Sequence, residues 1–314
     1  MTGTRVEQPA SPGVTVIIPT RGRPELVRAA VVSVVEQDYA GSLHCVVVHD
    51  QEEPDRTLES LAVAGRTVTV TRNEGRPGLA AARNWGRRGV ETEFIASCDD
   101  DDAWLPQKLS LQVARLRQNP AMLVVGAGIR LLMPDDRVVE WLGRGDEVQQ
   151  GDLLRSRRKE LHSSTLLMRR AAFDLAGGYD EDLPQGYAED YEWLLRAIRF
   201  GTIGVVRLPL ANINKAGQSW FRERAGVIAD ALKYLLATHP ELARSRRGHA
   251  RILGQIAFAL ATSGARRSSL GYVLRSLRRW PAAPQAHLAL FQLVTGADPR
   301  LLLKSARAVG RGIS

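Results

Sequence analysis

The stretch "FIASCDDDDAWLPQKL", residues 94–109, decides how the rest of the chain is read. An apolar run from Phe94 to Cys98 reads as a buried strand, and it ends in four consecutive carboxylates, Asp99, Asp100, Asp101 and Asp102. Mutual repulsion makes such a run costly unless something offsets the charge. Either a bound cation does so, or the carboxylates form a solvated turn at the positive end of the helix that follows.

Working outward, "GVTVIIPT" (13–20), "LHCVVVHD" (43–50) and "TVTVTR" (67–72) have the same strand character. Between them lie "RPELVRAAVVSVVEQ", with proline at a helix start, "DRTLESLAVAG" and "GLAAARNWGRRG", all with helical spacing, and "QKLSLQVARLRQN" follows the aspartates. Strands alternating with helices of roughly ten to fifteen residues imply an α/β fold with a mostly parallel twisted sheet and flanking helices. Ligands in such sheets bind beyond the carboxyl ends of the strands. Asp50 and Asp99–Asp102 both fall at strand ends, so they are expected to form one site. Further on, 121–133, 164–170 and 203–214 read as strands, and "AEDYEWLLRAIRFG" (188–201) as a helix opening on two carboxylates.

The texture changes at about Ser219, where the chain becomes helical throughout. This divides it into a loose polar tail (1–13), an α/β domain (14–218) and a basic all-helical extension (219–314). The net charge of +9 sits almost wholly in the last part: from Arg222 onward sixteen Lys and Arg face four Asp and Glu, +12, leaving −3 elsewhere. The two cysteines, Cys45 and Cys98, lie in apolar runs and read as reduced core residues, and the six histidines lack metal-type spacing. The start has no signal-peptide core, and no run of about 18 apolar residues marks a membrane span, so the expected location is cytoplasmic.

Several residues can carry chemistry. Asp99 and Asp101 point the same way if the chain stays extended, the minimal oxygen set for Mg²⁺ or Mn²⁺ on a phosphate, while Asp102 suits a cap. "NEGRPGLAAARNWG" (73–86) offers Gly75, Pro77 and Gly78 before a helix start, with Arg83 one turn inside; it is either a phosphate-approaching loop or a solvated one. Asp50 can accept from a base or ribose, or simply end a strand. Glu189 and Asp190, where a helix begins, are either caps or a general base.

In order and spacing, "VTVIIPTRGRPELVRAAVVSVVEQDY", "VVVHD", "NEGRPGLAAARNWG", "FIASCDDDDAWLPQKL", "STLLMRRAAFDLAGGYDEDL" and "AEDYEWLLRAIRFG" resemble the inverting family 2 glycosyltransferases with a GT-A fold. The resemblance covers roughly residues 14–215. It implies a nucleotide-sugar donor, commonly a UDP-sugar, with Pro19, Thr20 and Asp50 lining the nucleoside pocket and Arg83 near the nucleotide. Asp99 and Asp101 match the family's Asp-x-Asp, Asp101 as the direct ligand of a divalent cation, with Asp100 or Asp102 reaching the ribose or the metal's water shell. Asp190 matches the catalytic base and Glu189 its neighbour. Two departures stand out. His49 replaces an acidic residue in "HDQEE", and no histidine lies between Asp190 and His239, where relatives carry a metal ligand; "NINKAGQSW" occupies that region. Lys215 there either faces the diphosphate or is solvated. Trp193 is either an acceptor platform or a core residue, and His162 has no assigned role.

The acceptor is expected to be a hydroxyl of a glycan, a lipid-linked molecule or another glycoconjugate. The basic helices suit an anionic membrane surface or self-association at the inner face of the membrane, or a bundle packed on the α/β domain; nucleic acid is the weakest partner, with no recognised module beside the charge. Two other functions compete: a nucleotidyltransferase on a related scaffold, which leaves "AEDYEW" unexplained, and a non-catalytic nucleotide-sugar-binding or scaffold protein.

Overall fold

The computed structural model describes residues 11–215, 224–299 and 301–302. Most of the polar tail, part of "NINKAGQSW" and the 218/219 boundary therefore lie outside the described residues.

The N-terminal half alternates as the pattern requires: β1 (Val14–Thr20), α1 (Pro24–Val35), β2 (Leu43–Asp50), β3 (Arg66–Asn73), α2 (Leu79–Gly86), β4 (Phe94–Ser97), β5 (Ala103–Trp104) and α3 (Lys108–Gln118). The segment read as a helix before β3 is only a 3₁₀ turn, Arg56–Leu61, with Leu58 its one buried residue; one apolar anchor does not hold an amphipathic helix on a sheet. Then come β6 (Met122–Leu132), β7 (Val138–Trp141), β8 (Glu147–Val148), α4 (Gln150–Arg155), β9 (Leu167–Arg169), α5 (Arg170–Ala176), α6 (Glu189–Ala197) and β10 (Thr202–Asn214).

The ten strands form one sheet in the order β3-β2-β1-β4-β9-β6-β10-β5, with β7 on β6 and β8 on β10. The β3-β2-β1-β4 half is parallel. The other half is mixed, because β9 enters antiparallel to both β4 and β6 while β6 and β10 run parallel. Pro19 can sit in central β1 because pairing with β4 stops at Ile17, so its missing N–H costs no ladder bond there.

Period-two alternation assigns the faces. Val14, Val16 and Ile18 of β1 join Val27 and Val31 of α1 and Leu109 and Val113 of α3. Ile17 and Val48 face the other way, toward α2, α5 and α6. Gly86 lets α2 approach this face closely: a Cβ there would lie 2.7 Å from Ile17 and 2.8 Å from Val48. That approach carries Arg83 over the strand ends. Helices α7 (Ala225–Thr238) and α8 (Arg246–Thr262) extend the same cluster with Ile228, Leu232, Ile252 and Ile256, while α9 (Arg266–Arg279) and α10 (Pro284–Thr295) pack on α8. Cys45 and Cys98 are buried free thiols.

After β4 the chain turns, Asp102 N–H to Asp99 O at 3.2 Å, and crosses to β5, which pairs with β10. Beneath this crossing lies Lys108, wholly buried, with its Nζ 3.9 Å from the Trp104 ring centroid and without a hydrogen-bond partner among the described residues. Burial lowers its pKa to about 7, against a small opposing influence from Cys98. The unfolded chain keeps that proton to about pH 10.5, so folding is penalised fully below about pH 7 and progressively less as pH rises to 10.5. Lys108→Met is expected to stabilise the fold at pH 7 by on the order of 1–3 kcal/mol. The gain should shrink as urea unfolding is repeated toward pH 10.

Candidate active site

The four aspartates stand in four different environments. Asp99 accepts from Arg83 Nη2 at 2.5 Å and from Ser163 Oγ at 2.7 Å. Asp100 accepts from Thr20 Oγ1 and Arg23 Nη1, both at 2.8 Å. Asp101 meets Arg23 at 3.1 Å and is the most exposed, its side chain 36% accessible. Asp102 is held by Asn214 N–H at 3.0 Å and Ser164 Oγ at 2.5 Å. Burial raises the pKa of Asp100, Asp101 and, well above the usual carboxylate range, Asp102, where Asp99 adds to the effect. Asp99 goes the other way: burial opposes its charge, but Arg83, His162 and Ser163 outweigh that.

Arg83 joins this group to α6. Its guanidinium is fully buried, and its other arm, Nη1, donates to Glu189 Oε1. Burial works against the arginine's charge; Glu189 and Asp99 more than restore it and raise its pKa. One cation serves two carboxylates, and Asp99 keeps the charge. Glu189 is lifted to about 7 by burial, with Asp190 and Asp99 adding to the lift and Arg83 opposing it. The start of α6 is held unusually: Ala188 has φ +71°, a left-handed conformation that costs a non-glycine residue about 1 kcal/mol, and no side chain caps the helix. Asp190 is buried, and Arg157 Nη2 donates to both its oxygens at 3.0 and 3.3 Å.

His162 lies between the two sides; burial lowers its pKa, with Lys215 and Arg157 adding to that and Asp99 and Asp190 opposing it. Its Nδ1 accepts from Ser164 N–H at 3.3 Å and is 3.6 Å from Asp102 Oδ2. Asp99, Asp102 and His162 each offer a ligand atom, all within 4.8 Å of one another. Two carboxylates and an imidazole suit a divalent cation, the imidazole favouring Mn²⁺ over Mg²⁺.

Asp50 is also occupied. Asn73 Nδ2 donates to Oδ1 at 2.8 Å and Gly78 N–H to Oδ2 at 2.9 Å, so this carboxylate braces the glycine loop before α2 while each oxygen keeps a lone pair. Thr20 lies beside Asp100, and Pro19 is buried in β1. His49, in the acidic residue's place, accepts from Asp55 N–H at 3.3 Å. Lys215 is exposed, its N–H bonded to Leu132 O. Trp193 has no accessible surface: its Nε1 donates to Gly177 O and its ring packs on Phe173 and Tyr179, so it is a core residue with no face open to an acceptor. Sequence reasoning missed Arg23, Arg157 and the placement of His162. The first two looked like any surface arginine, and only His162, just before a strand, gave a signal.

Against known proteins, the model of Glycosyl transferase family 2 matches residues 15–174. The chain is 27% identical over 113 residues to the Escherichia coli UDP-Glc:alpha-D-GlcNAc-diphosphoundecaprenol beta-1,3-glucosyltransferase WfgD, covering 36% of this chain and 44% of the relative. It is 30% identical over 110 residues to the putative colanic acid biosynthesis glycosyl transferase WcaA of E. coli K12, covering 34% and 39%. The matches thus span less than half the length of these curated relatives. Among solved structures, S. aureus TarS 1-349 in complex with UDP superposes with TM-score 0.55 at 20% identity, covering 94% of this chain and 91% of that one. The mannosyltransferase PcManGT of Pyrobaculum calidifontis, in complex with GDP-Man and Mn²⁺, gives 0.56 at 18%, covering 91% and 88%. These likenesses show the GT-A fold.

Behind the site, α6 is braced against the helical extension. His239, 3% exposed, bonds Glu192 through Nε2 at 3.0 Å and Glu241 through Nδ1 at 3.2 Å. Burial opposes the imidazolium, and the two carboxylates outweigh it, raising its pKa. A raised folded pKa gives stability that is complete below about pH 6.5 and lost as pH climbs through the folded value. The expected result is that His239→Gln melts a few degrees below the native protein at about pH 6, and that this difference shrinks as pH climbs through the folded value of His239.

Proposed function

The chain belongs to glycosyl transferase family 2, and we propose that it moves a glycosyl group from a nucleoside-diphosphate sugar, a UDP-sugar, to an acceptor hydroxyl with inversion at the anomeric carbon. The observation that carries this reading is the bridge made by Arg83, which draws the strand-end aspartates and the carboxylates of α6 to one cleft.

In the proposed reaction Asp190 accepts the acceptor's hydroxyl proton as the acceptor oxygen bonds to the anomeric carbon. The bond from that carbon to the diphosphate oxygen breaks, and no covalent glycosyl-enzyme forms. Arg157 occupies both oxygens of Asp190 in the structure described, so it withdraws from one of them when the acceptor binds. Asp50 and Thr20 face the nucleoside, and Asp50 holds the glycine loop in place through Gly78. Arg83, with no accessible surface, is a positioning residue acting through Asp99 and Glu189.

Asp99, Asp102 and His162 would hold the divalent cation, joined by Asp101 once Arg23 withdraws. His162 then supplies the nitrogen for which the sequence after Asp190 offers no histidine. Bound there, the cation offsets charge on the leaving diphosphate. The acceptor is a glycan or lipid-linked hydroxyl, reached on the cytoplasmic side. Support comes from the relative WfgD, named for a diphosphoundecaprenol-linked substrate, and from UDP in the TarS complex.

With a panel of nucleotide sugars and Mn²⁺, Asp190→Asn is expected to lower turnover by about 10²–10⁴-fold while UDP still raises the melting temperature. Unchanged turnover would remove the base assignment. Mn²⁺ binding followed by electron paramagnetic resonance should weaken by roughly 10–100-fold in His162→Ala and stay unchanged in His49→Ala. Equal affinities in the two variants would take His162 out of the cation site.

A further inference from the structure

The two outermost helices pack on α8 through Val273, Ala289 and Leu293, yet they bury polar residues beside these and leave further apolar ones exposed. Helix α9 turns Ser269 and Ser276 inward, where their hydroxyls donate to Ala257 O at 2.7 Å and Ala250 O at 2.6 Å of α8. Leu270 and Leu274 point outward, 45% and 53% exposed. Helix α10 does the same, burying Gln285 and Gln292 and exposing Phe291 at 51% and Val294 at 76%. At 100° per residue Leu270 and Leu274 share an arc of α9 with Arg267, Arg275 and Arg278. Apolar side chains so placed lose the benefit of burial unless something covers them.

Charge identifies the cover. Residues 242–297 contain nine arginines and no aspartate or glutamate. A cleft of about 440 Å³ opens between α7, α8 and α9, with Leu236, Leu253 and Tyr272 on its walls and Lys233, Arg275 and Arg278 around them. Walls that are apolar under a cationic rim suit a phosphate headgroup with the first methylenes of its chain. A second copy of this face would bring like charges together. Residues 303–314 carry Lys304, Arg307 and Arg311 and no acidic residue, so they would not neutralise it either. Nucleic acid would meet the arginines but leave the leucines uncovered.

We propose that the α9 face rests on an anionic lipid bilayer, with Leu270 and Leu274 at the boundary between headgroups and acyl chains and Arg267, Arg275 and Arg278 on lipid phosphates. This is the geometry of an interfacial amphipathic helix. Among the described residues no helix is long and apolar enough to cross a membrane.

The test is co-sedimentation of the full chain with large unilamellar vesicles, phosphatidylglycerol with phosphatidylcholine against phosphatidylcholine alone. The expected result is binding to the anionic vesicles only, weakening steeply with salt. Arg275→Gln with Arg278→Gln should lower the partition coefficient by roughly tenfold or more. Leu270→Ser with Leu274→Ser should lower it too, and because both residues are exposed the melting temperature should hold. Three outcomes would overturn the proposal: equal binding to both vesicle types or none to the anionic one, binding unaffected by the leucine pair, and concentration-dependent dimers in sedimentation velocity that the leucine pair abolishes.

Discussion

The guanidinium of Arg83, shared between Asp99 and Glu189, is the contact on which the site depends. A fully buried arginine tolerates desolvation only when carboxylates meet its donors, and removing one partner of a buried pair typically costs about 3–5 kcal/mol. Asp99 is 16 residues from Arg83 along the chain and Glu189 is 106. Burying this cation therefore requires the end of β4 and the start of α6 to come together. A lysine would have to meet both carboxylates from one nitrogen, whereas the guanidinium turns Nη1 to one and Nη2 to the other.

The remaining carboxylates follow the same logic. Arg23 covers Asp100 and Asp101, and Arg157 covers Asp190. Three arginines thus offset part of the negative charge that these carboxylates bring to the cleft. Two of them reach solvent, with side chains 42% and 32% accessible, while Arg83 does not. The two that reach solvent are the ones the proposed reaction displaces, and the buried one stays as the frame. Depth below the surface separates the replaceable contacts from the permanent one. The lift of Glu189 to about 7 belongs to that frame: burial raises it, Asp190 and Asp99 add to the rise, and the shared Arg83 opposes it without cancelling it.

Much of this was legible in the sequence, and for definite reasons. Strands buried on both faces leave continuous apolar runs, so β1, β2 and β4 could be placed to within a residue or so, and the aspartates and α6 carboxylates with them. Short elements such as β5, β8 and α4 bury too few residues to leave a period. The antiparallel insertion of β9 depends on contacts with β4 and β6 that no local pattern encodes. Arg23 and Arg157 acquire meaning only from the carboxylates that folding brings to them. Trp193 was ambiguous for the same reason, since helical spacing cannot say whether a flat ring meets solvent or Phe173. In α9 the serines could be recognised as the inward face only once α8 lay against them.

A double-mutant cycle in urea unfolding, combining Arg83→Met with Glu189→Gln, tests the central claim most directly. Shared burial predicts that the two changes are strongly non-additive, with a coupling of about 2–3 kcal/mol and the double variant no less stable than Arg83→Met alone. Additivity within about 0.5 kcal/mol would mean that the guanidinium does not tie α6 to the strand ends, and the account of the site would fail.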